Sequence, residues 1–340
     1  MVDDQAIEDN ADAGLVYVTD QEPGIGRRRR GRGFSYRDPK GWLIDDAKHL
    51  QHIRSLAIPP AWSDVWICPQ RGGHLQATGR DARGRKQYRY HPDWRLARSA
   101  TKFDRMGEFG LELPRLRSAV DEELGRPGLS HDRVVALVVR LLDETLVRIG
   151  NDEYVEANAS YGLTTLRHRH VELGSTVFEL TFPSKGGLER RVKVVDRRLA
   201  RLVRRCHELG GQRLFMYLDG EGNPRPVDSG DVNRYLHEVT ERHFTSKDFR
   251  TWGATAVAAG TLGELGPPGS LREGESKFLA AIDASAAVLG NTRAVCRRSY
   301  VHPVVQEAYL ESELDRHWGR ARAGASMARE ERLVLALLDA

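Results

Sequence analysis

The 340-residue chain is poor in cysteine and lysine and has no long apolar run. Its three cysteines, Cys68, Cys206 and Cys296, are odd in number and far apart. That spacing excludes a disulfide scaffold and a cysteine zinc site, and reads as a reducing compartment. The longest aliphatic runs, such as Val134–Val139, fall far below the ~18 residues of a membrane span. The N-terminus is acidic and lacks the charged-then-apolar start of a secretory signal. A cytoplasmic location away from membranes is therefore expected. Chemistries are missing too. No Gly-x-x-x-x-Gly-Lys-Ser/Thr loop is present, which leaves NTP hydrolysis of the usual kind unsupported. Neither His-Glu-x-x-His nor Cys-x-x-Cys occurs, and no acid pair is spaced for two-metal catalysis. His168 and His170 would share one face of a strand, which suits structural or phosphate-contacting histidines better than a metal pair.

What is abundant is positive charge, unevenly placed. The net charge of +4 is an average. Residues 1–23 carry seven acids and no Lys or Arg. Residues 24–105 carry 19 basic against 7 acidic side chains, while 106–340 carry 33 against 34. One segment thus has the electrostatic footprint of a polyanion binder. Of the 52 basic residues 44 are Arg, the side chain suited to bidentate phosphate contacts. Compositional bias of the source genome explains the count alone equally well.

The pattern along the chain predicts an α+β protein: a small β-rich N-terminal domain followed by a larger, mainly helical one. Residues 1–25 read as a disordered acidic tail, 26–97 as the β-rich domain and 98–340 as the helical domain, with a linker near 95–101. The run Arg27–Arg32 reads as a solvated linker or a phosphate-touching arm. Strands are expected at Gly41–Ile44, Trp62–Cys68 and Leu75–Thr78, and a short helix at Asp45–Ser55. Ser130 is expected to cap a helix over His131–Ile149 that Gly150 stops. Strands at Val177–Phe182 and Arg190–Val195 flank a hairpin. Helices follow at Arg197–Leu209, Ser229–Glu241, Phe249–Thr261 and Ser276–Leu289, with a loop over Gly263–Gly274.

Four segments carry chemistry. Gly79–His91 packs Arg80, Arg83, Arg85, Lys86 and Arg89 around Tyr88, Tyr90 and Gln87, a set suited to phosphates and base edges. A charge-guarded strand edge is the plainer reading. Lys185 sits at a hairpin tip, able to carry an ammonium to a leaving oxygen, although most turn lysines are merely solvated. Lys247-Asp248-Phe249-Arg250 opens an apolar helix, with Asp248 as N-cap and Arg250 in the first turn, where an anion is favoured. In Gly290-Asn291-Thr292 through Arg297-Arg298-Ser299-Tyr300, Gly290 ends one helix and Asn291 caps the next. The nearby cations would favour a phenolate at Tyr300.

Taken together, from about Phe34 to Pro303, these segments resemble the type IB DNA topoisomerases of the small bacterial, poxvirus-like kind. The order Arg, hairpin Lys, Lys-Asp-x-Arg, then Gly-x-Thr-x7-Tyr carries the resemblance, with Gly-Arg-Asp-x-x-Gly-Arg-x-Gln-Tyr-x-Tyr beside it. The resemblance implies a catalytic domain of the tyrosine recombinase/topoisomerase IB kind and a clamp around duplex DNA. It implies Tyr300 as nucleophile, Arg148 and Arg250 as charge stabilisers, Lys185 as general acid and Asn291 where the family commonly has His. Asn donates a neutral hydrogen bond but carries no proton, so an acid-base role there is in doubt. The resemblance also implies that Lys247 is an auxiliary cation and that Gln87, Tyr88 and Tyr90 contact the groove. It further implies relaxation of supercoils through a 3′-phosphotyrosyl link, no required cofactor with magnesium at most a stimulant, a monomer on double-stranded DNA, and nucleoid association. The alternatives are a tyrosine recombinase, disfavoured by Lys247 where that family has His, and a DNA-binding module without catalysis.

Overall fold

The computed structural model describes residues 14–31, 33–82, 84–94, 103, 105–152, 155–156 and 159–339. The chain divides into two compact units, Met1–Asp104 and Arg105–Ala340. The linker expected near 95–101 lies outside the described residues.

Among its described residues the first unit holds a five-stranded sheet with a helix packed on it. Strands β1 (Ile25–Arg30), β2 (Gly33–Arg37), β3 (Ser63–Ile67), β4 (Leu75–Arg80) and β5 (Lys86–Tyr90) lie in the order β2-β1-β3-β4-β5. Every pairing is antiparallel. Helix α1 (Ala47–Ser55), capped by the Asp46 carboxylate on the His49 N–H, brings Ile53 onto Ile25, Val65, Ile67 and Ala77. Two sequence expectations change here. The Arg27–Arg30 run is neither linker nor arm but strand β1, because Arg27 folds inward and donates to the Ile58, Pro59 and Trp62 carbonyls at 3.4, 3.1 and 2.6 Å. Gly41–Ile44 forms only one bridge, Arg37 to Leu43, since Asp38 turns the chain by accepting from Lys40 and Trp42.

The tail expectation also changes. Residues 1–13 lie outside the described residues, but 14–24 are laid across the sheet. Val16 bridges Gly73, and Val18 is buried with Cys68 and Leu75 beside Trp66. The Trp66 indole donates to the Glu22 carbonyl at 2.8 Å. Gly24 lies so close to that ring that a Cβ would overlap it. Burial of Val18 and the backbone bonds that Val16 makes with Gly72 and His74 decided the outcome over the acidic composition.

The helices of the second unit given by the described residues include α2 (Met106–Gly125), α3 (His131–Thr145), α4 (Arg197–Glu208), α5 (Ser229–Thr240), α6 (Ser246–Leu265), α7 (Leu271–Leu289), α8 (Arg293–Ser299), α9 (Pro303–Leu310), α10 (Glu313–Arg320) and α11 (Arg329–Leu338). A three-stranded antiparallel sheet, β6 (Val171–Leu173), β7 (Phe178–Pro183) and β8 (Glu189–Val194), and a β9–β10 ribbon (Met216–Leu218, Pro224–Pro226) complete it.

The core of this unit gathers on α6. Phe109 meets Phe244, Phe249 and Trp252 edge-on, with ring centroids 5.1–6.4 Å apart. Helix α11 is part of that core. Leu333, Val334 and Leu337 are buried, and Glu331 binds both Arg117 and the Trp252 indole. The helices α6 and α7 run further than expected, to Leu265 and from Leu271, so the Gly263–Gly274 loop shrinks to the turn around Pro267-Pro268. His168–His170 is one turn of 3-10 helix, not a strand. His168 points to the Arg213 carbonyl and His170 is buried edge-on to Tyr161, so the pair shares no face.

Candidate functional site

Helix α3 ends earlier than its periodicity suggests. Its last residue is Thr145, and Leu146 turns into the left-handed region at φ 52°. Gly253 of α6 makes room, because a Cβ there would strike the Leu146 side chain. The chain beyond is irregular and is clamped by its neighbours. Leu163 and Thr164 donate to the Arg148 and Ile149 carbonyls at 2.9 and 2.7 Å. Gly150, at φ 103°, faces Gly162 so closely that a Cβ on Gly162 would lie 2.5 Å from the Arg148 carbonyl oxygen. Arg148 thus stands on a braced loop rather than on the end of a helix.

Arg250 comes from the second turn of α6. Thr245, not Asp248, is the N-cap, and Asp248 closes the capping box by accepting from the Thr245 N–H at 2.7 Å. The Arg250 side chain is buried rather than a surface group beside its cap. It donates to the Leu146 carbonyl and, at 3.1 Å, to the Leu289 carbonyl. Burial pushes its guanidinium down to about 10, with the charges of Arg148 and Arg190 acting in the same direction.

Tyr300 follows α8, whose N-cap is Thr292 rather than Asn291. Thr255 of α6 fixes the backbone on both sides of it. The Thr255 hydroxyl lies 3.1 Å from the Tyr300 carbonyl and accepts from the His302 N–H at 3.1 Å. The Arg250 guanidinium carbon sits 5.2 Å from the Tyr300 ring centroid. Burial alone would raise the phenol. The charge and hydrogen bond of Arg250, with the charges of Arg148 and Lys185, outweigh that and hold it below the usual phenol range. Two other tyrosines of this unit contrast with this. Tyr235 and Tyr309 are raised by burial, and the Tyr309 hydroxyl is spent on the Gly266 carbonyl.

These elements meet at one cleft of about 490 Å³, lined by Arg148, Lys185, Lys247, Arg250 and Tyr300. Lys185 reaches it from the β7–β8 turn, where Gly186 and Gly187 hold φ 94° and 78°. Asn291 adjoins through Arg148, which donates to its Oδ1 at 2.5 Å. That bond orients the amide and leaves the buried Asn291 Nδ2 without an acceptor, as is the buried Arg250 Nε. Sequence reading missed Ser160, Asn233 and Thr255, polar side chains with no local signature. Tyr161 also lines the cleft.

The second group of predicted residues lies on the β unit. Lys86, Tyr88 and Tyr90 project from one face of β5, and the two tyrosine rings stack at 6.0 Å. Gln87 faces the other way and donates to Asp81 at 3.1 Å. Arg85 pairs with Asp81 at 2.6 Å, Lys86 with Asp20 at 2.6 Å, and Arg80 with Asp64 at 3.8 Å. Arg83 lies outside the described residues. The β5 strand therefore divides the set that the sequence presented as one cluster.

A phenol set among three cations is a site built to meet an anion. Comparison with known proteins names the class. Residues 91–317 match the family described as eukaryotic DNA topoisomerase I, catalytic core, and residues 33–81 match the bacterial DNA topoisomerase IB N-terminal domain. The chain is 30% identical over 298 residues to DNA topoisomerase 1B of Acanthamoeba polyphaga mimivirus, covering 84% of this chain and 87% of that one. It is 23% identical over 277 residues to DNA topoisomerase 1B of vaccinia virus (strain Copenhagen), covering 78% and 83%. The chain belongs to the type IB DNA topoisomerase family and is a type I DNA topoisomerase. Among the described residues no helix is long and apolar enough to cross a membrane.

Proposed function

We propose that the protein relaxes supercoiled DNA by attack of Tyr300 on a backbone phosphodiester. The observation that carries this reading is the lowered phenol of Tyr300 facing Arg148, Arg250 and Lys185 in one cleft. The phenolic proton is lost to solvent and Oη forms a bond to phosphorus. The bond from phosphorus to the 5′ oxygen breaks, and the Lys185 ammonium gives that oxygen its proton. Arg148, Arg250 and the Asn291 amide meet the charge that builds on the non-bridging oxygens. The products are a 3′-phosphotyrosyl link and a free 5′ hydroxyl. One ester replaces another, so reversal restores the strand without ATP, and the cations already supply the charge that a metal would otherwise bring. While the strand is open the duplex swivels. The protein acts as a monomer on double-stranded DNA, with the Lys86, Tyr88 and Tyr90 face and Lys247 contributing contacts.

The test is plasmid relaxation in chelator without nucleotide, with denaturant quenching to trap protein on DNA. Relaxation and a covalent adduct are expected from the unaltered protein. Tyr300→Phe should drop both to background while leaving duplex binding largely intact. An adduct that persists in Tyr300→Phe would place the nucleophile elsewhere. Site-dependent strand exchange instead of relaxation would favour a recombinase.

A further inference from the structure

Lys185 stands on a turn of two left-handed glycines, so the turn itself does little to aim the ammonium. The β7–β8 ladder runs from Phe178–Val194 up to Pro183–Glu189, directly below the tip. The hairpin is then tied to a helix by Arg190, the residue after Glu189. Arg190 donates through Nη1 to the Ala287 carbonyl at 3.1 Å and through Nη2 to the Val288 carbonyl. Both acceptors are in the last turn of α7, where carbonyls lack helical partners and a cation is favoured.

The whole of that helix end is accounted for. The Ala286 carbonyl accepts from the Asn291 N–H at 2.9 Å, those of Ala287 and Val288 from Arg190, and that of Leu289 from Arg250 at 3.1 Å. One helix terminus therefore gathers the strand carrying Lys185, the helix carrying Arg250 and the turn carrying Asn291. Gly290 permits this, since its φ of 61° is left-handed and a Cβ would come within 3.2 Å of Arg190 Nη1.

We propose that Arg190 is a positioning residue that docks the Lys185 hairpin onto the C-terminus of α7, setting the ammonium in register with Arg250 and Asn291. This rests on reading Lys185 as the general acid. Arg190 does not line the cleft and acts through the placement of Lys185. Two parallel N–H donors on two successive carbonyls fix the strand in position and rotation, which a single-point ammonium cannot do.

Single-turnover cleavage of a duplex whose scissile 5′ bridging atom is oxygen or sulfur tests this, because a thiolate leaves without needing a proton. Arg190→Gln should slow cleavage of the oxygen substrate by about 10–100-fold, a fraction of what general acid catalysis supplies. On the sulfur substrate it should remain near the unaltered rate. Arg190→Lys, which keeps the charge and most of the stem, should show the same selectivity with a smaller loss and covers a failure of Arg190→Gln to fold. An equal loss on both substrates, or no loss on either, overturns the proposal. Lys185→Ala in the same assay separates the two readings. If sulfur rescues Lys185→Ala but not the Arg190 variants, Lys185 remains the acid and Arg190 does not position it. If sulfur fails to rescue Lys185→Ala, the general-acid reading falls and the proposal falls with it.

Discussion

The cations in and beside the cleft and the cations of the β4–β5 hairpin are held in opposite ways. Arg250 and Arg190 are anchored by backbone carbonyls, and Arg148 by an amide oxygen. None of those acceptors carries a charge, so geometry is fixed while the positive charge stays available for a ligand. On the β unit, Arg80, Arg85 and Lys86 are held by the carboxylates of Asp64, Asp81 and Asp20. There a phosphate must displace an acid, so exposed pairs of this kind trade partners cheaply and respond to salt. The first arrangement suits chemistry at one set point. The second suits contact with a polyanion that slides and is released.

Substitutions sharpen or break that contrast, and the largest effect belongs to Arg250. Arg250→Ala should cut the cleavage rate by about 10²–10³-fold, as expected for one donor at a charge-developing site. It should also lower the melting temperature, because the Leu146 and Leu289 carbonyls lose a buried partner, each worth about 1–3 kcal/mol. A loss of rate with unchanged melting would mean that the carbonyl anchors are dispensable. Next comes Gly162→Ala, whose Cβ would press on the Arg148 carbonyl and the Gly150 backbone. A misplacement of about 1 Å can cost about 10²-fold, so cleavage should fall steeply while duplex affinity holds. Unchanged cleavage would show that the braced loop tolerates movement.

The third prediction concerns pH. Cations hold the Tyr300 phenol below its usual range, so the rising limb of the cleavage–pH profile should lie at lower pH than for a free phenol. Arg148→Ala removes one of those charges, which weakens the phenolate and should move the limb to higher pH. A limb that stays put would detach the phenol from Arg148. The smallest effect is on the β unit. Asp20→Asn frees Lys86, so duplex binding at low salt should tighten by a few-fold and the salt dependence should steepen, by up to about one counterion. No change would mean that Lys86 does not meet the duplex. Deleting residues 1–23 is a poorer probe, since it would also strip Val18 from its buried place.

Much of the fold was legible because it rests on local signals. Apolar periodicity at Val134, Leu137, Val138 and Leu141 sets the buried face of α3, and Ser-Lys-Gly-Gly sets the β7–β8 turn. Helix ends were less legible. Leu146 leaves the helix because Gly253 lets it close against α6, a contact made by residues far apart in the chain. Arg27–Arg30 became a strand because carbonyls of a distant loop accept from Arg27, which no repeat of arginine announces. Arg190 and Arg191 look alike in sequence, yet Arg190 reaches α7 while Arg191 pairs with Glu179.

By itself the sequence determined the order of elements, the two-part division into β-rich and helical regions, and the spacing of Arg148, Lys185, Arg250 and Tyr300 along the chain. Periodicity, turn residues and motif order are properties of neighbours, and neighbours are what a sequence records. Tertiary structure decided which cations keep their charge for a ligand and which are already paired. Burial and partner identity settle that, and both depend on residues brought together from separate parts of the chain, as when α7 ends against arginines from β8 and α6.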